Sequence, residues 1–321
     1  MAVSWTQTID DMFTTTWANR KTTAIEQVYL KTPFIFWLKE KGRVVEQKGY
    51  TRIEIPLKYG RNETVRWIRR GSTMPMTESQ LLTMCYEEWK YVAVSINRFG
   101  IDEQKNKGSA RIINYTEEKI SSAESALWEE FERVVFADGT GVDECNGLQN
   151  LIAATPTSGT VHGLDRATYD WFRNQTKTAT GAFSVYAISD MRNMLNNLTK
   201  YSKSEVKDIF MMTDQITYEA FEDLMLEMKQ FYNQSLIDAG FEHLVYRGRP
   251  LMWAPSAPSA KIYFINPTYL YMVIDPDYYM DMTEWKAIPD QVNDRTAQIV
   301  CAMNLVTSRP IAEGILTGIT Y

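Results

Sequence analysis

The sequence predicts an α+β fold, and three observations carry that prediction: period-two segments at 50–59 and 86–97, one long amphipathic helix near 114–137, and a second helical region followed by further strand patterns. At 321 residues, 45% apolar and 23% charged, the chain has enough length for roughly two domains with a substantial buried core. A disulfide-stapled miniprotein and a wholly disordered chain are thereby excluded. Lys and Arg number 34 against 40 Asp and Glu, a formal charge of −6, so a protein whose main task is gripping nucleic-acid phosphates is also excluded.

In chain order, residues 9–41 read as helix in two pieces, interrupted by Pro33 and resumed by the aromatic run Phe34, Phe36, Trp37. So much aromatic surface in a short arm must be covered either by the main body or by a neighbouring chain. At 50–59 Ile53, Ile55, Leu57 and Tyr59 alternate with Arg52, Glu54 and Lys58, the pattern of a half-buried strand. A turn at 60–62, a short alternating piece at 64–69 and a polar connection at 70–80 lead to a return strand at 86–97. An isolated two-stranded excursion is marginally stable in water, so it must rest on something else. Between 49 and 72 six cations (Arg52, Lys58, Arg61, Arg66, Arg69, Arg70) face two acids, Glu54 and Glu63, making this ribbon locally basic in an acidic protein.

Asn114 or Thr116 can cap the next helix, in which Ile120, Ala123, Leu127, Phe131, Val134 and Val135 recur at three- and four-residue steps. The run 138–141, Asp-Gly-Thr-Gly, stops it. A helix through Ile188, Met191, Met194, Leu195 and Leu198 opens the second region, and another is expected over 214–239. Between 200 and 242 nine acidic residues outnumber four lysines, an acidic counterpart to the ribbon. Strand patterns at 244–246, 251–254, 261–265 and 298–307 follow, with no internal repeats.

Little here supports bond-making chemistry. Two histidines, His162 and His243, and three cysteines, Cys85, Cys145 and Cys301, lie far apart in sequence, without a nucleophile motif or a Cys-x-x-Cys pair. His162 reads as a turn residue before Gly163, and the cysteines as reduced thiols. Residues 139–141 follow a helix and lack the Lys-Ser/Thr of a phosphate loop, while Asp275, Asp277 and Asp281 lack the glycine and terminal glutamate of a calcium loop. The expectation is no enzyme, no catalytic residues, no cofactor and no metal. No secretory signal is read at the start, and no apolar run approaches the roughly 20 residues of a membrane span, so a cytosolic setting without membrane contact is expected.

The order of short motifs is more specific than any one of them. Lys41-Gly42 and Gly49; 55–60 (Ile-Pro-Leu-Lys-Tyr-Gly) with Asn62 and Thr64; Asn106-Lys107-Gly108; 138–141; Gly147-Leu148; 163–166 (Gly-Leu-Asp-Arg); 171–174 (Trp-Phe-Arg-Asn); 263–266; Trp285; Ile288-Pro289; and Pro310 with 314–317 cover nearly the whole chain. In that order they resemble the major capsid proteins of tailed bacteriophages, the Hong Kong 97-type fold.

That resemblance implies an N-terminal arm at 1–48, an extended β-hairpin loop at 49–100, a peripheral domain at 101–184 with its spine helix at 114–137, an axial domain at 185–288, and a return to the peripheral domain at 289–321. It implies a structural protein that self-assembles as hexamers and pentamers of an icosahedral shell around double-stranded DNA, built in the host cytoplasm and resident in the virion. The implied partners are other copies of the chain, a separate scaffolding protein, a portal, decoration proteins, and packaged DNA touched weakly. In such shells the extended loop lies over a neighbouring subunit, so the expected inter-subunit contacts are Arg52, Lys58, Arg61, Arg66, Trp67, Arg69 and Arg70 on the loop and Phe34, Phe36 and Trp37 on the arm. The type member cross-links a loop lysine to a neighbour's asparagine. Lys58 is the lysine available here, but no motif places its partners, and a solvated strand lysine is the reading kept. The alternatives are an encapsulin-type compartment shell with the same fold and, from another class, a cytosolic hydrolase with a carboxylate-based site.

Overall fold

The structure is a computed structural model, and it describes residues 33–49, 51–60, 62, 64–74, 76, 80–100, 109–139, 141, 143–201, 208–226, 244–289, 291 and 293–321; of the side chains of Phe36 and of 109–118 nothing is described. Helix α1 (Pro33–Glu40) leads into strand β1 (Val44–Glu46). The ribbon is β2 (Ile53–Lys58) paired antiparallel with β3 (Leu82–Glu87), and the chain continues into β4 (Lys90–Arg98). Helix α2 (Ser109–Val135) crosses β4, and its 27 residues make a rod about 40 Å long at 1.5 Å per residue. Its buried stripe is the one the periodicity marks, Ile120, Ala123, Leu127, Phe131, Val134 and Val135, with Trp128 added.

A short helix α3 (Leu148–Leu151), the hairpin β5 (Thr160–Val161) and β6 (Leu164–Asp165), and strand β7 (Gln175–Thr178) lead to α4 (Phe183–Tyr201), β8 (Phe210–Thr213) and α5 (Gln215–Leu226). The strands after it are β9 (Leu244–Tyr246), β10 (Arg249–Trp253), β11 (Lys261–Ile265), β12 (Leu270–Ile274), β13 (Asp281–Met282), β14 (Lys286–Ala287), β15 (Arg295–Thr307) and β16 (Gly314–Thr317).

Two sheets organise these elements. In the first, the 13-residue β15 pairs with β4 along one edge and with β12, β13 and β14 in succession along the other, and β1 adds itself in parallel outside β12. The second runs β7-β16-β11-β8-β10-β9. Its central strands, Phe210–Thr213 and Lys261–Ile265, read as nearly continuous apolar runs because both their faces are covered. Met211, Ile262, Phe264 and Leu316 face helices α4 and α5, whereas Phe210, Met212, Tyr263, Ile265 and Ile315 join the core shared with α1, α2 and the first sheet.

Several expectations change. The return strand at 86–97 is two strands with a bend at Glu88 and Trp89, one belonging to the ribbon and one to the first sheet. Buried Asn304 on β15 holds that bend: its Nδ2 donates to the Glu88 carbonyl at 2.8 Å, and its Oδ1 accepts from the backbone N–H groups of Asn146 at 3.0 Å and Leu305 at 2.8 Å. The piece at 64–69 is not a strand, and among the described residues no strand pairs with it. Helix α2 begins at Ser109, about two turns earlier than the caps suggested. Of the helix expected at 214–239, Gln215–Leu226 is described, and the rest lies outside the described residues, as do 1–32 of the arm.

Sheet membership does not follow chain order. β7 and β16 belong to the second sheet and β12, β13 and β14 to the first, because pairing joins strands far apart in the chain and leaves no mark on local periodicity.

The arm's aromatic run shows what holds the two layers together. Phe34 and Trp37 are 1% and 2% exposed, and the indole of Trp37 stacks on Phe210 of the second sheet with ring centroids 4.5 Å apart. Replacing so large a buried ring by a methyl leaves a cavity at the junction of both layers. Trp37→Ala is expected to lower unfolding stability by about 3–5 kcal/mol in chemical denaturation.

Candidate assembly surface

The ribbon divides into a root that its own chain supports and a tip that it does not. At the root, period two places Ile53, Ile55 and Leu57 inward, in the same core as Leu148, Leu151 and Phe172, while Glu54, Pro56 and Lys58 point out. Cys85 on β3 faces inward too, its Sγ 3.5 Å from the Ile55 carbonyl, and burial pushes its thiol up to about 12. Tyr59 stacks on Trp171 at 5.1 Å, closing the supported part. Gly60 follows where a Cβ would sit 2.4 Å from the Gln80 carbonyl oxygen, so only glycine lets the two strands part there.

The root is also anchored through a buried polar chain. The hairpin β5–β6 turns on His162 and Gly163, both with positive φ (51° and 74°), the geometry of a two-residue primed turn. His162 is 1% exposed, its Nδ1 lying 2.8 Å from Glu87 Oε1 at the end of β3, and its Nε2 accepting the Thr307 N–H at 3.0 Å. That pair of partners fixes the neutral tautomer with the proton on Nδ1. Burial works against the charge of Glu87, yet the bonds from His162 and Asn146 outweigh it and hold its carboxyl below the ordinary carboxylate value.

Thr307 passes the chain on, its hydroxyl donating to Glu313 Oε1 at 2.9 Å. Glu313 is fully buried just before β16, and burial pushes its carboxyl up to about 8 against the partial help of the Thr307 hydroxyl and the Arg166 charge. Arg166, equally buried, donates from Nη2 to the Leu151 carbonyl at 2.6 Å, and burial pulls its guanidinium down to about 10.

Beyond Gly60 the tip has no such support among the described residues. Trp67 is 102% exposed, and Val65, Ile68, Met74 and Met76 are exposed beside it, interleaved with exposed Arg66, Arg69 and Arg70. Among the described residues the segment is shaped by local bonds. Asn62 Oδ1 accepts from the N–H of Thr64 at 2.9 Å, and a turn over residues 69–72 closes with the Ser72 N–H on the Arg69 carbonyl at 3.0 Å, Gly71 taking φ 83°.

Of the contact residues expected from sequence, Lys58, Arg66, Trp67, Arg69 and Arg70 are exposed on the ribbon, and Arg52 is exposed with its guanidinium 5.0 Å from the Tyr86 ring centroid. Arg61 and the Phe36 side chain lie outside the described residues. Phe34 and Trp37 are buried in their own chain's core and have no surface left for a second chain. Sequence reasoning missed the outer face of β3, where Leu82, Met84 and Tyr86 are exposed, although the period-two pattern of 82–87 carries the signal.

A looped ribbon, a long helix laid across a sheet seamed by one strand, and a second sheet backed by two helices make up the fold of tailed-phage major capsid proteins. Solved structures with this architecture match nearly end to end. A chain of the cyanophage A-1(L) capsid asymmetric unit superposes with a TM-score of 0.64 at 16% identity, covering 91% of this chain and 93% of that one. A chain of Mycobacterium phage Bobi gives 0.56 at 10% identity over 87% and 89%. The holo-SrpI encapsulin complex from Synechococcus elongatus PCC 7942 gives 0.55 at 11% identity over 89% and 90%. At such identities the likeness is one of fold. No protein-family model matches the sequence, and no curated protein matches it.

The buried carboxyl gives the root a signed pH dependence. Because Glu313 keeps in the folded state a proton that the unfolded chain releases near 4.5, stability falls as pH rises from there to about 8 and is level above. Glu313→Gln is expected to remove that slope, so that its advantage over the wild-type chain in denaturation grows across the same interval.

Proposed function

We propose that this chain is the major capsid protein of a tailed phage, assembling with copies of itself into the hexamers and pentamers of an icosahedral shell around double-stranded DNA. The observation that carries this reading is a capsid-subunit fold, matched over about nine-tenths of its length, whose ribbon ends in a cationic, tryptophan-bearing tip left exposed by the described residues of its own chain. Tryptophan and arginine exposed together are the side chains most able to anchor an interface. The body has an acid excess to receive them, since the whole chain carries a formal charge of −6. In this reading α2 and the first sheet form the peripheral part of the subunit, the second sheet with α4 and α5 lies toward the capsomer axis, and the ribbon reaches a neighbour through Arg66, Trp67, Arg69 and Arg70. Arg52, Lys58 and Arg61 contribute nearer the root.

The subunit's work is mechanical, and its location is the virion, after assembly in the host cytoplasm. A net negative wall leaves packaged DNA mobile instead of gripping it. A separate scaffolding protein, a portal and decoration proteins complete the expected partners. The likeness to an encapsulin subunit supports one second reading, a compartment shell enclosing protein cargo.

Electron microscopy of the expressed chain tests assembly, and analysis of what the particles enclose separates the two shells. Closed particles or capsomers containing nucleic acid support the phage reading, packed enzyme supports the compartment, and a small fixed oligomer overturns both. The double substitution Arg66→Glu with Arg69→Glu is expected to abolish closed particles, because complementary charge sets register between subunits. Trp67→Ala is expected to reduce particle yield as well, while changing the chain's own unfolding stability by less than about 0.5 kcal/mol, since an exposed side chain contributes little within one chain.

A further inference from the structure

The buried chain at the ribbon root contains one group that cannot keep its partners in both of its protonation states. His162 Nε2 accepts the Thr307 N–H at 3.0 Å, while Nδ1 is committed to Glu87 Oε1 at 2.8 Å. A proton from solvent can enter only at Nε2, and an N–H there would point at another N–H across 3.0 Å. Two donors cannot share that separation, so ring and strand must part. Both His162 and Thr307 are buried, which leaves neither of them water as a substitute partner. Three connections make the consequence larger than one bond. The Glu87 carboxylate also accepts the His162 backbone N–H at 3.2 Å, the His162 carbonyl accepts the Tyr86 N–H at 3.3 Å, and Tyr86 and Glu87 are the last residues of the ribbon before the bend into the first sheet.

We propose that His162 is a proton-operated latch: in its neutral form it ties the ribbon root to β15, and its imidazolium form releases Thr307 and lets the ribbon and the β5–β6 turn move together away from that strand. The groups around it are consistent with this role. From β3 comes Glu87, with Asn146 of the segment before α3 bonded to the same carboxylate; the Phe172 ring lies 6.2 Å from the imidazole, and Glu313, just before β16, with Arg166, just after β6, is reached through Thr307. Glu87 is held below its ordinary value and stays charged in mildly acidic solution, where Glu313 still holds its proton, so neither neighbouring carboxyl changes charge between neutrality and mild acid. The inference concerns one chain's own contacts and stands apart from the shell reading.

Hydrogen exchange resolved to single amides tests it, on the expressed chain at about pH 7 and about pH 5, corrected for intrinsic exchange, the range over which imidazoles titrate. The protection of Thr307 and Tyr86 is expected to fall at least about tenfold on acidification, both in the wild-type chain and in Glu313→Gln, which removes the neighbouring carboxyl from the titration. In His162→Gln, whose amide oxygen can accept the Thr307 N–H without titrating, protection should be the same at both values. Unchanged protection in the wild-type chain, or an equal fall in His162→Gln, overturns the latch. Should that variant not fold, the imidazole nitrogen shifts decide instead. The chain has only two histidines, so His243→Gln assigns the signal, and a proton found on Nε2 at neutral pH contradicts the arrangement while one on Nδ1 supports it.

Discussion

The thirteen-residue strand β15 is the constraint on which the rest of the molecule hangs. One edge holds β4, and with it the exit of the ribbon; the other holds β12, β13 and β14. Two of its last four residues, Asn304 and Thr307, are buried and polar where a strand of pure core would be apolar. Asn304 fixes the bend between ribbon and sheet, and Thr307 links His162 to Glu313 just before the chain crosses into the second sheet. The direction in which the ribbon leaves the body is therefore set by hydrogen bonds in a dry interior, where leaving a partner unmet costs about 1–3 kcal/mol per group. That gives a two-stranded excursion a defined root, which its own pairing could not supply.

The ribbon's support stops abruptly. Up to Tyr59 each inward side chain has a place in the body, and the Tyr59–Trp171 stack is the last of these contacts. A few residues later Trp67 is fully exposed, with no support from the described residues of its own chain. A sequence under selection only to fold one chain gains nothing from such a residue, and it gains exposed apolar surface that promotes association. Association is a benefit when many copies must interlock, and the fold shared with phage capsid chains is one in which that occurs. In the proposed assembly the root and tip are two parts of one device, the first aiming the ribbon and the second carrying the contact.

Much of this was legible from residue order, and the remainder was hidden for physical reasons. The stripe Ile120, Ala123, Leu127, Phe131 repeats on a helical period and identified α2, while the alternation of Ile53, Ile55 and Leu57 identified β2. The basic tip was visible as charge. The bend at Glu88 and Trp89 was not, because alternation continues across it and the cause is a single asparagine more than two hundred residues away. His162 read as a turn residue and does sit in a turn, but its burial and its two side-chain partners come from strands distant in sequence. The aromatic arm had two readings of equal standing, and only the packing of Trp37 on Phe210 assigns that ring to its own chain.

The most direct test of the central claim is side-chain oxidation footprinting of Trp67 and Met76 before and after assembly. A tip whose role is to reach another copy should be oxidised readily in unassembled chains and become strongly protected once particles form, while Tyr278, exposed on the body, serves as the internal comparison. Closed particles in which Trp67 and Met76 remain as reactive as in the free chain would contradict the account, because the tip would then be idle in the assembly it is held to build.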